Sequence, residues 1–129
     1  MMQLIYIGCG GFIGAIMRYA VTHWTRDLTS QSGFPYGTLI ANLLGCLLIG
    51  ALSVFAETHD WMTPAARAFL MIGFLGAFTT FSTFGLESHN LFQAGNAIKA
   101  AANVGLHVFL GILCVVLGRA GANHFVHLF

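Results

Sequence analysis

The sequence predicts an all-α membrane protein with four transmembrane helices. Only 7 % of its 129 residues are charged, 57 % are hydrophobic and the mean hydropathy is +0.82, whereas soluble domains carry about 25 % charged residues. Four stretches, at about residues 4–22, 37–56, 65–90 and 98–119, each match the roughly 20 mostly apolar residues that a bilayer core requires. Because these spans leave no room for a soluble module, we expect a single four-helix transmembrane domain over residues 1–129.

The boundaries of the spans carry ordinary helix and turn signals. The first span meets a charge only at Arg18, in its last turn, and it lacks the basic leader and cleavage site of a signal peptide, so we expect it to be a mature helix. Residues 34–37, Phe-Pro-Tyr-Gly, precede the second span. Thr63 and Pro64 provide an N-cap and a helix-initial proline for the third span. Residues 93–96 separate the third span from the fourth.

The third span contains the sequence GFLGAFTTFSTF at residues 73–84, which suits an uninterrupted helix poorly. Glycines and adjacent β-branched hydroxyl residues both have low helix propensity. In hydrocarbon, a break is tolerated only where the freed backbone groups are buried in protein or line a wet path. The sequence therefore predicts a broken third helix and, beside the break, a site for a small polar or charged species.

Several polar residues lie within the spans. Asn42 and Thr38 are one turn apart on one face of the second span, and Asn42 either bonds a neighbouring helix or lines a wet cavity. His107 follows Asn103 by one turn in the fourth span, where a lone histidine is more often structural than catalytic. Glu87 is the only acid close to a span centre or its exit, and its carboxylate requires hydration, protonation or a partner.

Phenylalanine and hydroxyl residues alternate after the expected break. Phe81 and Phe84 flank Ser82 and Thr83, and the edges of aromatic rings are electropositive. This mixture of ring edges and hydroxyl donors suits a small, strongly hydrated anion better than it suits lipid. Arg18 either reaches the membrane interface with its charged end or attracts anions.

Glycine content and loop charge indicate an assembly of several copies. The chain has 16 glycines, and Gly10 and Gly14 form a small-xxx-small pair, which allows helices to approach closely. Four helices enclose a pathway poorly, so we expect a homo-oligomer. Two basic residues fall on one side of the expected membrane and three on the other. This near balance gives almost no preferred orientation, so insertion both ways and a single topology set by a weak signal fit it equally well.

Composition and motifs argue against other functional classes. A net charge of +1 does not fit nucleic-acid binding. The three cysteines fall in apolar runs without the spacing of a metal site or a disulfide framework. The sequence contains no nucleotide-binding motif and no catalytic triad, so we expect no enzyme activity.

The chain resembles the small dual-topology fluoride channels of the CrcB/Fluc family over essentially its full length. The resemblance rests on GGFIGAIMRY at residues 10–19, GTLIANLLG at residues 37–45, and the broken segment at residues 73–84 followed by Glu87. It implies an antiparallel, dual-topology homodimer in the bacterial inner (plasma) membrane. It also implies two fluoride pathways, one on each side of a central structural Na⁺ ion at the dimer interface.

The same resemblance implies roles for individual residues. The fluoride pathway would be formed by Thr38, Asn42, Phe81, Ser82, Thr83, Phe84, Glu87 and His107. The main-chain carbonyls of Gly76 and Thr79 would bind the sodium ion, and Arg18 would have a structural or anion-attracting role. Two positions depart from the family pattern: Ala77 replaces a common second glycine, and Gly111 stands where many members carry a hydroxyl.

The expected function is passive fluoride export, which reduces fluoride toxicity in the cytoplasm. One alternative is a proton-coupled exporter of the small four-span multidrug type, for which Glu87 is the sole candidate acid. A second alternative is a subunit that assembles with others but transports nothing, which would leave the broken, hydroxyl-rich segment without a purpose.

Overall fold

The computed structural model describes residues 1–128, and every regular element in that range is helical. The elements are α1 (Met2–Trp24), α2 (Arg26–Ser32), α3 (Tyr36–Thr58), α4 (Pro64–Arg67), a π-helical segment (Ala68–Leu75), α5 (Gly76–Phe78), α6 (Phe81–Gln93) and α7 (Ala97–Leu128). Four helical stretches are long and apolar enough to cross a membrane: α1, α3, the composite stretch Pro64–Gln93, and α7. The prediction of an all-α, four-span membrane protein is confirmed.

The third span begins and breaks where the sequence indicates. Its N-cap is Thr63, whose hydroxyl accepts a hydrogen bond from the Ala66 amide at 3.2 Å, and Pro64 is the first helical residue. The helix is interrupted at Thr79 (φ −89°, ψ 158°) and Thr80 (φ −151°, ψ 116°), both of which are extended. The predicted break is therefore confirmed, and it lies just after Gly76, which itself keeps helical geometry.

Two local features were not expected from the sequence. The connection after α1 contains the short helix α2, which ends at Gly33 in the left-handed region (φ 66°). The Lys99 ammonium donates a hydrogen bond to the Ser32 carbonyl at 2.7 Å, and a cation is favourable at a helix C-terminus. The other feature is the π-helical segment, which packs along α1 directly before the break. Such segments are frequent at functional sites.

Glycines bring α1 against the π-helical segment at backbone distance. A Cβ atom added to Gly10 would overlap the Phe69 carbonyl, and one added to Gly14 would overlap the Phe74 carbonyl. The close helix approach predicted from the Gly10–Gly14 pair is confirmed. This packing fixes the backbone that leads into the break.

A second glycine-mediated contact joins α3 to α7. A Cβ on Gly50 would overlap the Val115 carbonyl, and a Cβ on Gly118 would overlap the Leu47 carbonyl. Beyond Gly118, α7 continues through residues 119–128, past the expected end of the span. There Arg119 pairs with Glu57 of α3 at 3.1 Å. The helices α3 and α7 are therefore held against each other along most of their length.

Few large side chains are buried within one subunit. The central cluster consists of Ala41 of α3 together with Leu75 and Phe78, which precede the break in the third span. Many apolar side chains are exposed instead, including Phe81 at 82 % and Phe109 at 76 %. Lipid or a second protein must cover such a surface, and the cluster beneath it holds the break in place.

Candidate functional site

A cavity of about 430 Å³ lies against the break in the third span. Its wall combines α3, the broken span and α7. It is lined by Asn42, Gly45, Cys46, Ile49, Met71, Leu75, Gly76, Thr79, Thr80, Phe81, Phe84, His107 and Val108. The structure therefore gathers six of the residues singled out from the sequence: Asn42, Gly76, Thr79, Phe81, Phe84 and His107.

Asn42 satisfies the backbone of the extended residue Thr80 at two points. Its side-chain Nδ2 donates to the Thr80 carbonyl at 3.1 Å, and its Oδ1 accepts from the Thr80 amide at 2.8 Å. The amide bonds a neighbouring element, as one interpretation of Asn42 predicted. It also lines the cavity, and a water-filled path at this place stays a prediction. Buried backbone groups at a break need such partners.

The carbonyls of Gly76 and Thr79 stand at the edge of this break. In a continuous α-helix the Gly76 carbonyl would accept from the amide four residues later, that of Thr80, but that amide donates to Asn42 instead. The Thr79 hydroxyl donates to the Leu75 carbonyl at 2.9 Å, so the carbonyl is the oxygen of Thr79 that remains for a ligand. Backbone carbonyls freed at a helix break are ligands for hard cations. The donor set fits such an ion.

Side chains of the usual metal-binding types do not provide another site. Within residues 1–128, no group of three or more His, Cys, Asp or Glu side chains could hold a metal ion.

Three residues that line the cavity have neighbouring rings. The rings of Phe81 and Phe84 are 5.4 Å apart between centroids with an interplanar angle of 57°. The Phe84 ring lies 4.3 Å from the His107 imidazole, at 38°. His107 Nδ1 is 2.9 Å from the Asn103 carbonyl, and its Nε2 has no hydrogen-bond partner among the described residues. All three residues line the cavity, and the positive edge of an aromatic ring favours an anion.

The hydroxyl residues after the break are organised by Thr80. Its hydroxyl donates to the Thr83 hydroxyl at 2.9 Å and lies 3.3 Å from the Ser82 hydroxyl. It also accepts from the Thr83 amide at 3.2 Å and so caps α6. Ser82 and Thr83 follow the cavity wall without forming part of it.

Thr38 and Glu87 form a separate polar contact. Thr38 lies one turn before Asn42 in α3, and Glu87 lies one turn after Thr83 in α6. The buried Thr38 hydroxyl donates to Glu87 Oε1 at 2.7 Å, which connects α3 to α6. Glu87 Oε2 has no hydrogen-bond partner within residues 1–128. Neither residue lines the cavity.

Arg18 is not brought to the cavity. It lies half-buried in the last turns of α1, a helix that contributes nothing to the cavity wall. In the described part of the chain the only ion pair joins Arg119 to Glu57. Both interpretations of Arg18, contact with the membrane interface and attraction of anions, stay predictions.

Sequence reasoning missed two contributors to this region, Thr80 and Cys46. Thr80 was seen only as part of the motif, although its backbone pairs with Asn42 and its hydroxyl caps α6. Cys46 lines the cavity, one turn beyond Asn42 on the same face of α3, and this spacing could have revealed it. Asn103 is fully buried and donates to the Ser88 hydroxyl at 2.9 Å.

Comparison with known proteins agrees with this architecture. The family model described as "CrcB-like protein, Camphor Resistance (CrcB)" matches residues 5–119. A protein of Ruminiclostridium cellulolyticum named "Fluoride-specific ion channel FluC" is 42 % identical over 119 residues, covering 92 % of this chain and 91 % of that protein. Proteins with the same name from Sulfurovum sp. and Clostridium novyi are 41 % and 38 % identical, over 89 % and 90 % of this chain and equal shares of their own. The chain belongs to the CrcB-like family.

Proposed function

We propose that this multi-pass membrane protein is a fluoride-selective channel that exports fluoride passively and so lowers fluoride toxicity in the cytoplasm. The observation that carries the proposal is the break at Thr79 and Thr80, beside which lies a cavity lined by these two residues and by the rings of Phe81 and Phe84. Relatives about 40 % identical over most of this chain carry the name of a fluoride-specific ion channel. That name describes a channel and not an enzyme or a proton-coupled exporter.

Passive export is sufficient for this purpose. Protonated fluoride is neutral and crosses membranes, then ionises in a less acidic cytoplasm and is trapped there as the anion. An inside-negative potential drives the anion outward through a selective path. The direction fits the inner membrane of a bacterium, and no chemical energy source is needed.

Selectivity follows from the wall of the cavity. Fluoride holds its water strongly, so a narrow path must replace that water with many weak donors instead of one fixed charge. The ring edges of Phe81 and Phe84 supply such interactions, and the hydroxyls of Ser82 and Thr83 follow them along α6. Thr38 and Glu87 would form one end of the path, and His107 would contribute beside Phe84.

A second copy of the chain would complete the path. Phe81 is 82 % exposed in one subunit and Gly76 is exposed beside it, although both line the cavity. A homodimer would cover these residues, and the nearly equal numbers of basic residues on the two sides support an antiparallel arrangement. The carbonyls of Gly76 and Thr79 would then hold a sodium ion between the subunits. Bound there, the ion would supply positive charge that keeps the carbonyls of the two chains together.

The antiparallel dimer predicts that the C-terminus is found on both sides of the membrane. Labelling of a single cysteine introduced at Asn123, which is exposed near the end of α7, should modify about half of the molecules from each side in a background without native cysteines. Labelling from one side only would contradict dual topology.

Transport itself is tested with the purified protein alone in liposomes. Fluoride-loaded vesicles should release fluoride rapidly once a potassium ionophore removes the opposing potential, at equal pH on both sides. Chloride-loaded vesicles are the matched control, and they should release little. A proton-coupled exporter would require a pH gradient, and a non-transporting subunit would release neither ion, so either result would refute the channel.

A further inference from the structure

The break in the third span depends on a side chain from another helix. The Thr80 amide would close the helix onto the Gly76 carbonyl, but it donates to Asn42 Oδ1 at 2.8 Å. The Thr80 carbonyl accepts from Asn42 Nδ2 at 3.1 Å. A single amide side chain therefore satisfies both backbone groups of the extended residue.

The remaining contacts of the break lie within the broken span itself. The Thr79 amide and hydroxyl both donate to the Leu75 carbonyl, at 3.0 and 2.9 Å, which continues the helix of α5 by one residue. The Thr80 hydroxyl caps α6 from the other side. In a continuous α-helix the Thr83 amide would donate to the Thr79 carbonyl, so the Thr80 hydroxyl occupies one of the amides that would rejoin the helix. Asn42 occupies another, the Thr80 amide, and it does so from outside the broken span.

We propose that Asn42 is the positioning residue of the cation site: its amide clamps Thr80 and so keeps the Gly76 carbonyl free to bind the ion beside the carbonyl of Thr79. This inference rests on the sodium site of the proposed function and assigns it a side chain outside the broken span. In hydrocarbon, an unsatisfied Thr80 backbone would be costly. Without the clamp, the chain relieves that cost by returning Thr80 to the Gly76 carbonyl, which removes a ligand.

The clamp also limits what Asn42 offers to an anion. Its Oδ1 and one hydrogen of Nδ2 are engaged with Thr80, so one N–H of the amide remains for the cavity. Replacement of Asn42 therefore disturbs two properties, cation binding and fluoride passage. The first distinguishes the clamp from a role in lining the path alone.

The test measures the sodium dependence of dimer stability, without reference to flux. Purified protein is heated in detergent over a series of sodium concentrations at constant ionic strength, with choline as the replacement, and the sodium midpoint of stabilisation is recorded. Asn42→Leu should raise the midpoint at least about tenfold, because the binding-competent break becomes a minor state. Asn103→Leu is the matched control, since it removes another buried amide that bonds Ser88 and not the break, and its midpoint should stay at the wild-type value.

Each other outcome is decisive. An Asn42→Leu dimer with the wild-type sodium midpoint would overturn the clamp. If Asn42→Leu forms no dimer, Asn42→Asp decides, because the carboxylate keeps the acceptor for the Thr80 amide. For this variant and the wild type, the same series is also run with potassium in place of sodium. Retention of the wild-type ratio of the sodium midpoint to the potassium midpoint would support the clamp, and loss of that ratio would overturn it. A wild-type dimer indifferent to sodium would overturn both the clamp and the cation site, while fluoride flux from liposomes would still decide the channel function separately.

Discussion

Replacement of Phe84 by isoleucine is expected to lower fluoride flux by at least about tenfold, which corresponds to about 1.4 kcal/mol on the barrier. Phe84 is half-buried between Phe81 and His107, with centroids 5.4 and 4.3 Å away. Isoleucine preserves the apolar bulk but has no ring edge to favour the anion. Initial efflux rates from liposomes at matched protein content measure the effect, and Phe81→Ile should act in the same direction.

Stability of the same variants separates transport from packing. An aliphatic of similar size in a packed site costs less than about 1.5 kcal/mol, so the dimer should persist. Phe109→Ile is the matched control, because Phe109 is 76 % exposed on α7 and does not line the cavity. Flux should be unchanged in this control. Normal flux in Phe84→Ile would show that the ring is a packing residue, and the pathway assignment of Phe84 would be withdrawn.

The broken third helix could be predicted from sequence because its causes are local. Low helix propensity at residues 73–84 and the cost of free backbone groups in hydrocarbon are both properties of the segment itself. The start of the third span at Thr63 and Pro64 could be predicted for the same reason, because the N-cap and the proline are local signals. The exact residues of the break could not be predicted, because the helical propensities of neighbouring residues differ little. Its position at Thr79 and Thr80 is stabilised by Asn42, a residue 38 positions away.

The π-helical segment and the short helix α2 could not be predicted for a related reason. The apolar run Ala68–Leu75 fits an α-helix equally well by composition. What distinguishes its geometry is the backbone contact with Gly10 and Gly14 of α1, which is a tertiary effect. Likewise, α2 ends where Lys99 of a distant helix binds the Ser32 carbonyl.

The candidate site was predictable to the extent that its residues share a face or a motif. Asn42 and the ring pair were found because a polar or aromatic pattern stands out within an apolar span. Thr80 was missed because its contacts with Asn42 are made by backbone atoms, and every residue type has these atoms. Arg18 was included because a charge stands out at the end of an apolar span, yet it lies on a helix that does not line the cavity.

The Gly76→Val substitution is expected to abolish both dimer formation and fluoride flux, although the isolated subunit can accommodate it. Gly76 has helical geometry (φ −61°, ψ −34°), and a Cβ placed there meets no atom within 4 Å of its own subunit. Valine therefore costs little within one chain. It projects instead from the exposed edge of the break, where the proposed cation and second subunit would approach the Gly76 carbonyl. Size-exclusion chromatography, efflux and circular dichroism of the same preparation measure assembly, transport and folding.

Two other glycines provide the comparison that this result needs. Gly121 also has nothing within 4 Å of an added Cβ but lies near the end of α7, so Gly121→Val should retain helicity, dimer and flux. At Gly118 an added Cβ overlaps the Leu47 carbonyl, so Gly118→Val should destabilise the subunit itself, as overpacking does by about 1–3 kcal/mol. If Gly76→Val resembles the Gly118 variant, the effect comes from folding. If it resembles the Gly121 variant, no ion or partner lies against Gly76. Only a helical monomer without flux supports a binding edge at the break, since that combination requires a contact made outside the subunit.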